Sequence, residues 1–268
     1  MYRYLILFGC FFLLASCEEA SPDPRTDAEQ PVEPIDNLVR LSQIIVTDPI
    51  SNDTITEIQI NYDMDDLITS ITFAGSSDIT YDFEYARNNR LTRFSKAENG
   101  TTSNYDLEYG DDEINLTTSQ ASSMETRVFE IDNQNRIFYT RSLSNDLLTG
   151  AKEYDYTANF NVDRISERDA FLNTIGYQDL TYFFNNNPFR DMNDVLRFIV
   201  FEEFIPYTRY LPDTLNEFGS TSGSLQLESS TIYDYELNEA DFPMSRTVIS
   251  DVNGFVTETL ETFIYTDN

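Results

Sequence analysis

The chain has 268 residues and carries 47 acidic and 17 basic side chains, which gives a formal net charge of −30. Because this charge repels phosphate groups, we expect no association with nucleic acid or with anionic lipid surfaces. The sequence has no histidine and only two cysteines, which excludes Ser–His and Cys–His nucleophile pairs and zinc sites built on these residues. It also has no glycine-rich phosphate loop, so no cofactor is predicted.

The first 16 residues have the composition of a secretory signal peptide. Arg3 precedes an apolar run from Tyr4 to Leu14, and two small residues follow before Cys17. This run is shorter than the roughly 20 apolar residues that a spanning helix needs. The stretch "LASC" that ends at Cys17 resembles the bacterial lipobox, which implies that the mature chain begins at a lipidated Cys17. We therefore expect a cell-envelope protein that is attached to the outer membrane through this lipid.

Residues 17–36 predict a disordered tether. The segment holds four prolines and several acidic residues but almost no large apolar side chain, so it cannot bury enough surface to offset the entropy of ordering. The acidic residues directly behind Cys17 resemble the signal that sends Bacteroidota lipoproteins to the outer face of the outer membrane. A plain solvated linker is the alternative, so the sequence leaves periplasmic and outward orientations open.

Residues 37–268 predict a single domain built from repeated β-hairpins. In the stretch 79–85, Ile79, Tyr81, Phe83 and Tyr85 alternate with polar residues, which is the pattern of a half-buried strand. Similar strands end at Tyr62, Tyr109, Ile131 and Tyr156, and a polar turn follows each of them. These strand ends lie 22 to 25 residues apart, which fits one hairpin per repeat.

The number of repeats predicts an all-β fold with a very large antiparallel sheet. About seven hairpins would give about fourteen strands, and open twisted sheets rarely exceed ~10 strands without curling or closing. We therefore expect a strongly curled sheet, either a half-pipe or a barrel. The repeat pattern breaks after residue 170 and resumes at residue 230.

The segment near 190–206 predicts a short helical or irregular insertion. Candidate capping residues and apolar positions at helical spacing are Asp191, Asn193 and Asp194, followed by Val195, Phe198, Ile199 and Glu202, with Pro206 as the expected end. A strand is the alternative, because the segment is rich in β-branched and aromatic residues. We expect this apolar segment to plug the open side or one end of the sheet as part of the core.

Three phrases carry a family resemblance: "NYDMDDLITSITF" (61–73), "YDFEYARNNRLTRFSK" (81–96) and "YDYELNEADFPMSRTV" (233–248). They resemble the Tyr-Asp repeats of Rhs and YD-repeat proteins, and more closely the Bacteroidota lipoproteins grouped as DUF4595-like. Asn187-Pro188-Phe189 lies where that family has an internal Asn-Pro-Phe segment. The resemblance covers residues 38–268 and implies a lipid-anchored, all-β, repeat-built envelope protein. It supplies no catalytic residues, and several turn glycines of the family are Asp or Asn here.

The acidic residues offer two kinds of site. Paired carboxylates can serve a glycoside hydrolase, although 47 acidic residues make a close pair expected by number alone. Candidate calcium ligands in two clusters are Asp63, Asp65, Asp66, Asp111 and Asp112. Neither cluster has the spacing of a known calcium loop, and both fall at predicted turns. We therefore predict solvated turns and no metal site.

Two short motifs resemble the acceptor sequence for O-glycosylation of exported Bacteroidota proteins. They are centred on Thr54 in Asp53-Thr54-Ile55 and on Thr214 in Asp213-Thr214-Leu215. If these threonines are modified, they should lie in loops that face solvent.

Together, the patterns favour a non-enzymatic binding or interaction module that presents a curled β surface to a glycan or protein partner. A structural or assembly scaffold of the periplasm is the alternative, and a carboxylate-based glycoside hydrolase is a third hypothesis. The chain has 17 Tyr and 20 Phe, and most of these rings fall on the inward phase of the strands, so we expect them mainly in the core.

Overall fold

The structure is a computed structural model that describes residues 40–75, 78–120, 123–190, 192, 194–201, 208–221 and 224–266. The predicted signal peptide, the lipidation site Cys17 and the tether lie outside the described residues.

Sixteen strands and one helix follow one another along this part of the chain. They are β1 (Arg40–Thr47), β2 (Thr54–Tyr62), β3 (Ile68–Gly75), β4 (Ile79–Tyr85), β5 (Leu91–Glu98), β6 (Thr101–Tyr109), β7 (Glu113–Gln120), β8 (Ser123–Ile131), β9 (Ile137–Ser144), β10 (Leu147–Tyr156), β11 (Val162–Asp169), β12 (Thr174–Asn186), α1 (Asp194–Val200), β13 (Tyr210–Thr221), β14 (Ser224–Leu237), β15 (Pro243–Val252) and β16 (Phe255–Thr266).

These strands form a closed antiparallel barrel in which each strand pairs with the next along the chain. The barrel closes where β1 pairs with β16, from Arg40 opposite Thr266 to Thr47 opposite Leu260. Closure leaves no unpaired sheet edge, which removes the surface through which large sheets aggregate. The all-β prediction is confirmed, and of the two forms left open the protein adopts the barrel.

The predicted strand ends are confirmed. Tyr62, Tyr85, Tyr109, Ile131 and Tyr156 are the last residues of β2, β4, β6, β8 and β10. The pattern succeeds here because the last two inward residues of each of these strands are apolar or aromatic, and a polar turn begins directly after them.

The expected break in the repeat after residue 170 was wrong. β12 and β13 continue the ladder, with pairs from Gly176 opposite Gly219 to Thr181 opposite Thr214, and only the segment between the two strands departs from it. The alternation pattern misses these strands because their inward positions include Gly176 and Gly219. The aromatic residues next to them, Tyr177 and Phe218, lie on the outward face and stack with ring centroids 4.4 Å apart.

The two ends of the barrel differ in their connections. The mouth is the end where odd-numbered strands turn into even-numbered ones, as at 48–53, 99–100, 145–146, 170–173 and 253–254. The clasp end carries the connections 63–67, 86–90, 110–112, 132–136, 157–161, 187–209 and 238–242, and both β1 and β16 have their outer termini there.

Six tyrosines close their hairpins at the clasp end in the same way. Each lies at or near the end of its strand and donates its hydroxyl to a carbonyl at the start of the preceding strand. The pairs are Tyr62 with Leu41, Tyr85 with Ile68, Tyr109 with Leu91, Tyr156 with Ile137, Tyr182 with Val162 and Tyr265 with Pro243. β8 and β14 end instead at Ile131 and Leu237. We call the six bonds tyrosine clasps.

Several clasp-end turns share a second feature, in which the first side chain of the turn accepts hydrogen bonds from backbone N–H groups of the same turn. Asp63, Asp132 and Asn238 each accept the backbone N–H groups two and four residues later. The residue three positions later has positive φ in each case: Asp66 at 67°, Asn135 at 60° and Asp241 at 60°. Asp and Asn tolerate this conformation and form such turns readily, which explains how these turns form without glycine.

The insertion between β12 and β13 fills the interior of the barrel. Val195, Leu196 and Phe198 of α1 and the following Phe201 are at most 2 % exposed and belong to one hydrophobic core with the inward side chains of the strands. Phe198 meets Tyr154 edge to face, with ring centroids 5.0 Å apart. The predictions of a helix and of a core plug are confirmed.

Only some of the residues predicted to begin, line or end the helix lie in the described part of the chain. Asp194 is the first helical residue, whereas Asp191, Asn193, Glu202 and Pro206 lie outside the described residues.

The Asn-Pro-Phe segment leads the chain into this core. Asn187 is 2 % exposed, and its Oδ1 accepts the N–H of Phe189 at 2.9 Å. Its Nδ2 donates to the hydroxyl of Thr208 at 3.1 Å. A single buried amide therefore joins the two ends of the insertion.

Candidate functional site

The wall of the barrel has a polar outer surface and an interior that changes along the axis. In β4, Tyr81 and Phe83 are buried whereas Asp82 and Glu84 are exposed. The outward face of β14 and β15 is less polar, since Ile232 and Ile249 lie opposite each other there. The polarity of β4 is the reverse of that of a strand in a membrane-spanning barrel, whose outward side chains form an apolar band.

Toward the mouth the interior opens into a chamber of about 430 Å³. Its lining comprises Tyr81, Phe94, Lys96, Tyr105, Leu116, Thr118, Glu125, Thr126, Arg127, Ser142, Leu143, Ser144, Thr149 and Ile199. Ile199 belongs to α1, so the plug forms part of the floor. The volume lies within the range of ~300–1,000 Å³ that is usual for small-ligand pockets.

An aromatic platform forms one side of the chamber. The rings of Phe94 and Tyr105 stack with centroids 4.5 Å apart and planes 7° apart, because the two residues lie opposite each other on β5 and β6. Tyr81 of β4 adjoins them, 6.2 Å from Phe94 between centroids. Because Phe94 is buried, the ring of Tyr105 is the part of the stack that can offer a flat apolar surface to a ligand.

Charges of both signs surround this platform. Lys96 Nζ lies 2.7 Å from Glu98 Oε2, and the hydrogen bond that Lys96 donates to Glu98 raises the pKa of Lys96. Arg127 lies over the ring of Phe129 and donates to the carbonyl of Phe198 at 3.3 Å, which connects the chamber wall to the plug. Glu125 is exposed to the chamber and forms no ion pair with a described residue.

Thr118 stands out among the hydroxyl groups of the chamber. Its side chain is 4 % exposed, and its Oγ1 has no hydrogen-bond partner among the described residues. Buried polar groups without a partner are rare and costly. The hydroxyls of Ser142 and Ser144 line the same space, so the chamber offers several groups that can both donate and accept hydrogen bonds.

A buried ion pair lies elsewhere in the interior. Arg246 Nη2 and Glu261 Oε2 are 2.6 Å apart, with side chains 5 % and 8 % exposed. The guanidinium also lies over the rings of Tyr233 and Phe263. Burial opposes the charged form, but Glu261 and the neighbouring tyrosines raise the pKa of Arg246 above its usual value. Neither residue lines the chamber, so the pair has a structural role.

The candidate calcium ligands lie in clasp-end turns, as predicted. Asp63 holds its own turn through backbone N–H groups, and Asp66 pairs with Arg40. Asp65 lies in the same turn, whereas Asp111 and Asp112 lie in the turn between β6 and β7. Within the described part of the chain, no three acidic residues converge in a way that could hold a metal ion.

The two candidate glycosylation sites differ in their surroundings. Thr54 is exposed and begins β2 beside the turn 48–53. Thr214 lies inside β13 and not in a loop, and its hydroxyl is 2.8 Å from that of Thr181. Modification stays a prediction at both positions.

The residues of the chamber were missed by sequence reasoning, although a signal exists. On the inward phase of β5, Phe94 is followed by Lys96 and Glu98, and on β8 Arg127 and Glu125 precede Phe129. The inward phase therefore changes from aromatic to charged toward the mouth. Recognising this change requires knowing which end of each strand meets the same end of the barrel.

Comparisons with known proteins give only distant likenesses. No family model matches the chain, and no curated protein matches it. A porin-like protein from Bacteroides uniformis ATCC 8492 has a similar structure with a TM-score of 0.42 and 14 % identity, over 85 % of this chain and 96 % of that one. A porin-like protein from Bacteroides vulgatus ATCC 8482 has a TM-score of 0.42 and 10 % identity, over 85 % and 99 %. Likenesses of this strength carry no argument about function.

A helix that crosses a membrane must be both long and apolar. Within the described ranges, no helix has the length and apolar character needed to cross a membrane.

Proposed function

We propose that the protein is a non-enzymatic binding protein of the cell envelope, whose ligand enters the chamber at the mouth of the barrel. The observation that carries this proposal is the hydroxyl of Thr118, which is buried beside an open cavity and has no hydrogen-bond partner among the described residues. A bound polar ligand would satisfy this group. The ring of Tyr105, which stacks on the buried Phe94, gives the same ligand an apolar surface to lie on.

The polarity of the barrel supports a domain that lies in water rather than in a bilayer. Asp82, Glu84, Asp106 and Glu108 are exposed on the outer wall, and charged side chains on the lipid face of a barrel are destabilising. The plug around α1 occupies the interior, so a channel along the axis is not expected. Attachment to the outer membrane would then depend on the predicted lipid at Cys17.

The lining of the chamber supports binding over hydrolysis. A glycoside hydrolase uses two carboxyl groups on either side of the scissile bond. Of the described residues that line the chamber, Glu125 is the one acid. Neither the scaffold hypothesis nor the hydrolase hypothesis has a comparable observation in its favour.

Thermal-shift measurements with a library of small polar molecules test the proposal. A ligand that binds the folded state raises the melting temperature, so we expect at least one compound to raise Tm for the intact protein. Ser142→Trp fills the chamber and should abolish this rise. Asn104→Trp places the same ring on the exposed outer face of β6 and should preserve it. A library that leaves Tm unchanged, or an equal response in both variants, overturns the proposal.

The envelope attachment has its own test. Cys17→Ala should release the protein from the membrane fraction and abolish the incorporation of a fatty-acid label. Protease treatment of intact cells then distinguishes the two orientations, because only an outward-facing barrel is lost while a periplasmic control protein survives. Membrane retention of Cys17→Ala would contradict the lipid anchor without affecting the binding proposal.

A further inference from the structure

We infer that the ligand of the chamber is a neutral saccharide of one or two sugar rings. This inference rests on the proposed function and adds the chemical class of the ligand. The balance of charge in the chamber, its hydroxyl groups and its aromatic platform support this class of ligand.

Charge balance favours a neutral ligand. The protein as a whole has a formal charge of −30, yet the described charged residues that line the chamber are Lys96, Arg127 and one acid, Glu125. Glu98 neutralises Lys96 through a contact of 2.7 Å, so the group as a whole has no charge excess. An anion would meet the repulsion of the whole molecule at the mouth. A cation would find Glu125 two positions from the guanidinium of Arg127 on the inward phase of β8.

The polar groups match a ligand with many hydroxyls. A sugar hydroxyl donates and accepts, and it can therefore use a carboxylate, a cation and a protein hydroxyl at once. Glu125 supplies an acceptor, Arg127 supplies donors, and Ser142 and Ser144 supply both. Within the part of the chain that the structure describes, the buried Thr118 hydroxyl has no hydrogen-bond partner, and a ligand hydroxyl that reaches the chamber wall would provide one. Bonds to charged groups are the stronger members of such a set.

The platform and the volume match the size and shape of a sugar. Tyr105 lines the chamber and stacks on the buried Phe94, so the face of its ring that is turned away from Phe94 provides a flat surface against which the C–H face of a pyranose can pack. The cavity of about 430 Å³ lies at the lower end of the ~300–1,000 Å³ range of ligand pockets, which limits the ligand to a small saccharide or to the end of a longer one.

Calorimetric titration of the full chain with defined probes tests the inference. The neutral probes are maltose, cellobiose, lactose and diacetylchitobiose, and the charged probes are galacturonic acid, glucosamine and the dipeptide Gly-Tyr. We expect at least one neutral disaccharide to bind and the charged probes to bind at least about tenfold more weakly. Glu125→Gln and Tyr105→Ala should each raise Kd about tenfold, through loss of a charge-assisted hydrogen bond and of the platform.

Thr118→Val separates binding from folding. It removes the buried hydroxyl with little change of shape, so Tm without ligand should stay the same or rise, while Kd for the disaccharide should rise about fivefold. Thr117→Val on the outer face of β7 is the matched control and should leave Kd unchanged. A lower Tm with an unchanged Kd for Thr118→Val would overturn the role of this hydroxyl, and with it the inference.

The results of these experiments distinguish failure of the saccharide inference from failure of the binding function. If only the charged probes bind, and Ser142→Trp abolishes this binding, the inference of a neutral saccharide is overturned while the binding function is preserved. Binding of a disaccharide that is insensitive to Glu125→Gln, Tyr105→Ala and Ser142→Trp places the sugar elsewhere and also overturns the inference. If neither these probes nor the wider library binds, both proposals fail.

Discussion

The hydroxyl of Tyr156 donates a hydrogen bond of 2.7 Å to the carbonyl of Ile137, and this bond closes the hairpin of β9 and β10 at its open end. The first residue of one strand is thereby joined to the last residue of the next. Five other hairpins carry the same clasp. The tyrosine that recurs at or near the ends of even-numbered strands therefore has a physical explanation, because in these six hairpins it closes the hairpin to which it belongs.

Loss of one clasp should have a modest and specific cost. Tyr156→Phe keeps the ring but leaves the carbonyl of Ile137, whose residue is 2 % exposed, without this donor. We expect the free energy of unfolding to fall by about 1 kcal/mol, measured from the midpoint of urea unfolding. Tyr139→Phe is the control, because the hydroxyl of Tyr139 has no partner among the described residues. Equal midpoints for both variants would show that the clasps contribute nothing.

The clasps also predict an alkaline limit to stability. Burial raises the pKa of Tyr62 to about 12, and it raises the pKa of Tyr85, Tyr156 and Tyr265 further above their usual value of 10.0. A raised pKa means that the folded state holds protons that the unfolded state has lost above about pH 10. Stability should therefore be constant below about pH 10 and should fall steeply above it.

Circular dichroism and tyrosinate absorbance, recorded during one alkaline titration, check this limit. Ionisation of the clasp tyrosines should coincide with unfolding, and Tyr156→Phe should make the fall in stability less steep because one titrating group is removed. Ionisation of all 17 tyrosines near their usual pKa, with the barrel still folded, would contradict the burial of the clasps.

The ion pair of Arg246 and Glu261 should matter more than any pair on the surface. Both side chains are more than nine-tenths buried, and removing one partner leaves an uncompensated charge. Glu261→Gln should lower the free energy of unfolding by about 3 kcal/mol, while the double variant Arg246→Met with Glu261→Leu should recover part of the loss. Chemical denaturation measures both.

A surface pair provides the matched control. Arg164 Nε lies 2.6 Å from Asp179 Oδ1, with side chains 46 % and 33 % exposed. Because exposed pairs contribute little, Asp179→Asn should cost less than about 1 kcal/mol. A similar loss for Glu261→Gln and Asp179→Asn would show that burial does not set the strength of the inner pair.

Local patterns in the sequence were sufficient for most of the barrel. The alternation that ends at Tyr62 and Tyr85, followed by a polar turn, placed the ends of β2 and β4 correctly. β12 and β13 were missed because Gly176 and Gly219 stand on the inward phase and aromatic rings on the outward one. Closure was left open, because the pairing of β1 with β16 joins residues more than 200 positions apart, which no local pattern encodes.

The chamber was beyond sequence reasoning for a related reason. Thr118 and Glu125 have no local feature that separates them from the many other polar residues of the strands. Their significance arises because strands far apart in the chain meet around one space, and because the hydroxyl of Thr118 finds no partner there. Whether a buried polar group has a hydrogen-bond partner depends on the whole fold.

The turn between β8 and β9 allows the second repeated device to be tested. Asp132 Oδ1 accepts the backbone N–H groups of Gln134 and Arg136 at 2.8 and 3.0 Å, and Asp132 Oδ2 accepts from Arg136 Nε at 2.8 Å. Asp132→Ala removes all three bonds and should lower the free energy of unfolding by about 1–2 kcal/mol. Asp132→Asn should cost less, because an amide oxygen can hold the turn as Asn238 does. Urea unfolding at neutral pH compares the two.

The dependence of these effects on pH follows from the charge of Asp132. Burial opposes its ionisation, but the hydrogen bonds from Arg136 and from the backbone prevail and lower the pKa of Asp132 below the usual 3.8. Its contribution is therefore present above that value and is lost as the pH falls through the lowered pKa. The difference between the intact protein and Asp132→Asn should shrink between neutral pH and about pH 2.5. A difference that persists in acid would assign the bond to the neutral carboxyl group and would rule out an ionic contribution to the turn.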